Sequence, residues 1–177
     1  DSATDQLAQN QNRNKTNREL IHNTNEKLSA TESKMEALRN ITERYDGYGN
    51  SIRRVMEQKQ WNPGIIGVVA DIITVNQKYE VAVETALGGS IQNIVTEDDA
   101  TAKRMISYLK TNRLGRATFL PLNTITDRGS VRNDVLREKG VIGVASDLVE
   151  VDSKFNTLVK NLLGRIIVVD NIDNALA

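Results

Sequence analysis

Gly64-Ile65-Ile66-Gly67-Val68 is echoed 76 residues later by Gly140-Val141-Ile142-Gly143-Val144. Held at that offset, Asp71 meets Asp147, Val75 meets Val151 and Lys78 meets Lys154, with Tyr79 opposite Phe155. Val83, Leu87 and Gly88 then meet Val159, Leu163 and Gly164. From Gly64 to Gly88, ten of 25 positions are identical without a gap, which marks a duplicated unit. A two-residue gap aligns Ile94-Val95 with Val168-Val169.

Each copy reads as an α/β unit. A short apolar strand (65–69; 141–145) leads to Asp71 or Asp147, placed to satisfy backbone amides at the next turn. An amphipathic helix follows (77–87; 153–163), with Val81, Val83, Ala86 and Leu87 as apolar surface in the first copy. Phe155, Leu158, Val159, Leu162 and Leu163 serve in the second, and a glycine after each helix suits a C-cap. Next comes a strand, Ile91–Thr96 or Arg165–Asp170. Glu97, Asp98 and Asp99 match the positive start of another helix, which runs to Asn112 and buries Ala102, Met105, Ile106 and Leu109. A third strand, Ala117–Leu120, ends at Pro121. The second copy stops inside its second helix, so the sequence predicts a fragment whose unpaired strand edge something else must cover.

Upstream, residues 1–44 hold no Gly, Pro or aromatic residue. Leu7, Ile21, Leu28 and Met35 fall on one seven-residue register, shared by Asn14 and Thr42. Asn10, Asn17, Thr24, Thr31, Leu38 and Tyr45 follow three residues later. This alternation is the seam of a weak left-handed coiled coil that needs a partner helix; the alternative is a disordered polar tail. Tyr45-Asp46-Gly47-Tyr48-Gly49-Asn50 ends that helix, and Ser51 is placed to cap a short one through Gln60 with Ile52, Val55 and Met56 inward. The predicted layout is an arm helix (1–44), a junction (45–63), subdomain I (64–122), a linker (123–139) and an incomplete subdomain II (140–177).

The 177 residues carry 23 basic and 23 acidic side chains, no Cys and one His. Disulfides, thiolate chemistry, Cys-ligated metals and multi-His sites are excluded, and no apolar run is long enough for a membrane span. No phosphate-binding loop occurs, and Gly47-x-Gly49 follows a helix, not a strand, so it is no dinucleotide fingerprint. Tight turns explain the remaining glycine pairs, capping explains Asp71 and Asp147, and His22 lies on the polar helix. No catalytic, metal or cofactor-binding residue is assigned. One asymmetry survives: residues 103–139 carry a local charge of +6, against −4 for 45–102 and −2 for 140–177. Such a region suits backbone-directed, sequence-independent phosphate contact. The candidates are Lys103, Arg104, Lys110, Arg113 and Arg116, then Arg53 and Arg54 near the junction.

Four motifs occur in order: Tyr45–Ile52, Gly67-Val68-Val69-Ala70-Asp71-Ile72-Ile73, Tyr79–Gly89 and Gly115-Arg116-Ala117-Thr118-Phe119-Leu120-Pro121-Leu122. Together with the duplication they resemble the hinge domain of structural maintenance of chromosomes (SMC) proteins, most closely the bacterial ones. The resemblance implies paired α/β subdomains, mixed α+β in content, behind a coiled-coil helix. It implies a homodimer in which an edge strand of one subdomain extends the sheet of the other subdomain in the partner. It implies an antiparallel return helix for the arm, a role in chromosome condensation and segregation, DNA held within a ring or V, and weak DNA contact. The family's interface glycine segment and ATPase heads lie outside this sequence, so the resemblance implies no catalysis or cofactor here, ATP hydrolysis elsewhere in the full protein, and a cytoplasmic, nucleoid-associated, membrane-free setting. The residues alone leave a second reading open: a small-molecule-binding α/β domain or enzyme that uses the glycine turns.

Overall fold

The computed structural model describes residues 2–129, 131–132 and 134–176, in two compact units, 1–44 and 45–177. The first unit is one helix, α1 (Ser2–Arg44). Its threonines and serines do not break it, because Thr16, Thr24, Thr31, Ser33 and Thr42 each donate a hydroxyl to the carbonyl four residues back. The seam residues Leu7, Ile21, Leu28 and Met35 are all more than half exposed, so this face is unpartnered among the described residues.

The second unit begins with α2 (Asn50–Glu57) and a 3-10 turn at Gln58–Gln60. The first copy follows as β1 (Ile65–Val68), α3 (Val69–Ile72), β2 (Thr74–Val75), α4 (Glu80–Leu87), β3 (Ile94–Thr96), α5 (Asp99–Thr111) and β4 (Phe119–Pro121). The second copy has β5 (Val141–Val144), β6 (Val149–Glu150), α6 (Asn156–Leu163), β7 (Ile167–Val169) and α7 (Ile172–Leu176).

Duplication extends to individual hydrogen bonds. β1 and β5 pair antiparallel with β3 and β7, and both ladders slip at the same point, between Ile65 and Gly67 and between Val141 and Gly143. The Glu97 and Asp170 amides donate to the carbonyls of Gly64 and Gly140 at 2.8 and 2.9 Å. Asn76 and Asp152 accept from the Lys78 and Lys154 amides, and those lysines lie over the rings of Tyr79 and Phe155. Asp98 and Asn171 take the amides of Thr101 and Asn174 at the starts of α5 and α7. The ladders also correct the alignment. Ile94, Val95 and Thr96 occupy the places of Ile167, Val168 and Val169, a three-residue gap and not two.

The copies are not separate globules. β2 pairs antiparallel with β6, Thr74 opposite Glu150 and Val75 opposite Val149. Thr74 and Glu150 are the same repeat position, so the pairing lies on a pseudo-two-fold axis. Around it one core forms, with Val69, Val83, Leu87 and Val95 from the first copy. Ala145, Phe155, Leu158, Val159, Leu163 and Val168 come from the second. Burying each of the larger of these side chains, the valines, leucines and Phe155, stabilises the fold by roughly 1.5–3 kcal/mol.

Several expectations change. Val81 is 77% exposed, because Val83 and Leu87 set the inward stripe of α4 and Val81 lies across the helix from it. Ile106 is likewise half-exposed, outside the Thr101, Ala102, Met105, Leu109 stripe. Ser51 caps nothing; it is buried, and its hydroxyl donates to the Arg116 carbonyl at 2.6 Å. The third strand runs Phe119–Pro121, and β3 starts at Ile94 because Gly88–Gln92 forms a 3-10 turn. Gly88 ends α4 at φ +48°, whereas Gly164 ends α6 in the right-handed region. The Asp71 carboxylate accepts the Tyr45 hydroxyl, and Asp147 takes the neighbouring Ser146 hydroxyl at 3.4 Å, so equivalent positions do unequal work.

Candidate assembly edge and cationic surface

The larger sheet has the order β1-β3-β4 and ends on β4. β3 and β4 run parallel, with the Ile94 amide on the Thr118 carbonyl and the Leu122 amide on the Thr96 carbonyl. Ladder alternation turns the backbone groups of Phe119 and Pro121 outward; the Pro121 carbonyl accepts the Thr124 and Ile125 amides at 3.2 and 3.1 Å, which leaves Phe119 as the outward residue that no strand pairs with among the described residues. Pro121 has no amide to leave unmet, which suits an edge position. The sequence reading placed its unpaired strand edge in the second copy, not on this strand.

The cations divide by partner. Lys103 reaches Asp99 at 2.7 Å, and Asn123 donates to the same carboxylate. The Lys103 hydrogen bond, then that of Asn123, lowers the Asp99 carboxyl to about 2, and the same contact raises Lys103. Asp98 is also held below the usual range, first by the Thr101 amide. Arg104 donates to the Thr101 hydroxyl at 2.8 Å, Arg54 pairs with Glu57 at 3.0 Å, and Arg53 reaches the Asn50 side-chain oxygen at 3.4 Å.

Lys110 and Arg116 differ. Both rim a groove of about 450 Å³ whose remaining lining is Ile106, Leu109, Gly115 and Ala117. Exposed Arg113 sits at φ +53° in the turn between them. The Ser51–Arg116 hydrogen bond ties α2, with Arg53 and Arg54, to this end of α5. The structure thus gathers Lys110, Arg113 and Arg116 around the C-terminal end of α5, with Arg53 and Arg54 on the adjoining helix. Lys103 and Arg104 lie up to two turns back and are engaged locally. Lys59, which sequence reading passed over, donates to the Ile66 carbonyl at 2.6 Å. The only cue was a lysine just before an edge strand. Among the described residues no cluster of three His, Cys, Asp or Glu could hold a metal, and no helix is long and apolar enough to cross a membrane.

Comparison with known proteins places this arrangement in a class. The model of the SMC proteins' flexible hinge domain matches residues 62–177. The chain belongs to the SMC hinge family. Its curated relatives include chromosome partition protein Smc of Lactiplantibacillus plantarum, 40% identical over 153 residues. That match covers 85% of this chain and 13% of the relative. Chromosome partition protein Smc of Bacillus subtilis is 35% identical over 162 residues, covering 90% and 14%. The chain therefore spans a small part of these proteins' length. Among solved structures, an asymmetric dimer of the Geobacillus stearothermophilus SMC hinge domain aligns with TM-score 0.72 at 35% identity. It covers 89% of this chain and 64% of that one. The Pyrococcus furiosus SMC hinge domain aligns at 0.62 and 36%, covering 81% and 75%.

Proposed function

We propose that residues 45–177 form the homodimerisation hinge of a chromosome condensation and segregation SMC protein. The dimer joins two coiled-coil arms, each pairing α1 with an antiparallel return helix, into a ring or V that entraps DNA. ATP hydrolysis belongs to head domains of the full-length, nucleoid-associated protein, not to the hinge. The observation that carries this reading is the outer edge of β4 at Phe119, which no strand pairs with among the described residues, on a duplicated unit. An edge strand with unmet backbone groups is a template for another chain. The solved relative described as an asymmetric dimer supports it.

Sedimentation velocity over a concentration series tests the dimer. Phe119→Pro removes an outward amide while β4 keeps its bonds to β3. The expected result is a dimer weakened at least tenfold; unchanged association sinks the edge assignment.

Weak sequence-independent DNA contact is the second part of the proposal, supported by the grouping of Lys110, Arg113 and Arg116. Anisotropy with a short duplex should show affinity falling steeply with salt. Changing all three to Glu should abolish binding, while Lys103→Glu, whose cation is already matched by Asp99, should cost less. Equal affinity in the triple variant would reject the surface.

A further inference from the structure

The three-stranded sheet has two edges, β1 and β4; on β4 the Pro121 carbonyl accepts the Thr124 and Ile125 amides, and among the described residues no strand pairs with the outward backbone of Phe119. β1 borders the turn that follows α2, and two bonds from that turn cover it. The outward Ile65 amide donates to the Asn62 carbonyl at 3.0 Å. At the bulge, the Ile66 carbonyl leaves the ladder and accepts the Lys59 ammonium at 2.6 Å. The second copy keeps the first bond, Val141 to Glu138 at 3.3 Å, but has Val135 at the place of Lys59. Ile142 there is 40% exposed.

We infer that Lys59 is the residue that closes the β1 edge to strand addition and so leaves β4 as the edge of this sheet that a second copy can extend. This deepens the dimer reading above and rests on it. A strand docking along β1 would have to displace the ammonium from its carbonyl or bury it without a counter-charge, and a buried unpaired charge is costly. A lysine on an edge strand is a general means of blocking such pairing, and the bulge adds to it by bending the strand. The remainder of the lysine side chain is exposed, so its removal opens no cavity.

Lys59→Met, Lys59→Arg and Lys59→Ala are to be compared by sedimentation velocity, each in the unaltered chain and in Phe119→Pro. In the unaltered chain, Lys59→Met should add species beyond the dimer at a concentration at least tenfold below any seen for the parent. In Phe119→Pro it should restore self-association. Lys59→Arg, which keeps a cationic donor, should behave as the parent. Lys59→Ala repeats the test should the methionine variant fail to fold by circular dichroism. Identical mass distributions with and without the lysine, in both backgrounds, overturn the inference. A parent chain that is monomeric and insensitive to Phe119→Pro overturns the dimer reading instead, and the lysine effect is then read as a monomer–dimer shift.

Discussion

The two copies of the repeat share a backbone and differ in what surrounds it. The strands, the bulge and the turn into the helix make matching hydrogen bonds in both copies. Yet Ile65, Ile94 and Thr96 are wholly buried, while their counterparts Val141, Ile167 and Val169 are only half-buried. The first copy is overlaid by α2 and the long α5, which bring Ile52, Val55, Met56, Met105 and Leu109. Tyr45 engages Asp71 from outside the repeat, and Lys59 does the same for the bulge. The repeat fixes its own hydrogen bonds, and Tyr45 and Lys59, which lie ahead of it, add contacts to the first copy.

The sharpest way to break this comparison is to ask whether the copies melt apart. Leu158 is fully buried in the shared core, and Leu158→Ala should cost about 2–5 kcal/mol. The chain's single tryptophan, Trp61, lies beside the first copy. Its fluorescence should shift together with far-ultraviolet circular dichroism; a Trp61 transition that stays put would mean two independent cores.

Glycines at equivalent positions come next. A Cβ on Gly64 would lie 2.5 Å from the Thr101 hydroxyl, and one on Gly140 would meet Asn174, the residue in Thr101's place. Gly140 also sits at φ +81°. Gly64→Ala should cost about 1–3 kcal/mol and Gly140→Ala more, by urea unfolding. A tolerated Gly140→Ala would break the equivalence.

A smaller effect separates the aspartates. Tyr45→Phe, which leaves Asp71 without the phenol, should cost about 1 kcal/mol, whereas Asp147→Ala should stay within about 0.5 kcal/mol in the same assay.

The smallest effect is in pH. The folded-state pKa values of Asp98 and Asp99 are depressed, so their contribution is present above the unfolded value near 3.8 and lost as pH falls toward 2. The equivalent cap in the second copy is Asn171, which does not titrate. Amide exchange between pH 5 and 2 should therefore loosen the start of α5 and spare α7. Asp98→Asn should reduce that difference; equal loosening in both helices would contradict it.

Much of this fold is legible in the chain. Repeated glycines, the apolar strand beside them and the helix after them are local requirements, so duplication preserved their spelling. Asp98 reads as a cap for the same reason. The positive stretch from Lys103 to Lys139 was visible as composition, but its partition was not. Lys103 is spent on Asp99 one turn away and Arg54 on Glu57, leaving Lys110, Arg113 and Arg116 grouped only by the turn after α5. The strand alignment was off by one residue because Ile-Val and Val-Val look alike under a shift, and only the ladder's hydrogen bonds distinguish them.

From residue order alone came the long polar helix and the doubled α/β unit, since each depends on neighbours in the chain. Folding in three dimensions decided the rest. Pairing of Thr74-Val75 with Val149-Glu150 fused two copies into one core, and a lysine six residues ahead of β1 covered part of one border of a sheet whose other border has no paired strand among the described residues. Two-residue strands and a single side chain on a carbonyl leave no periodic trace in a sequence, because their energy comes from groups brought together only once the chain has closed on itself.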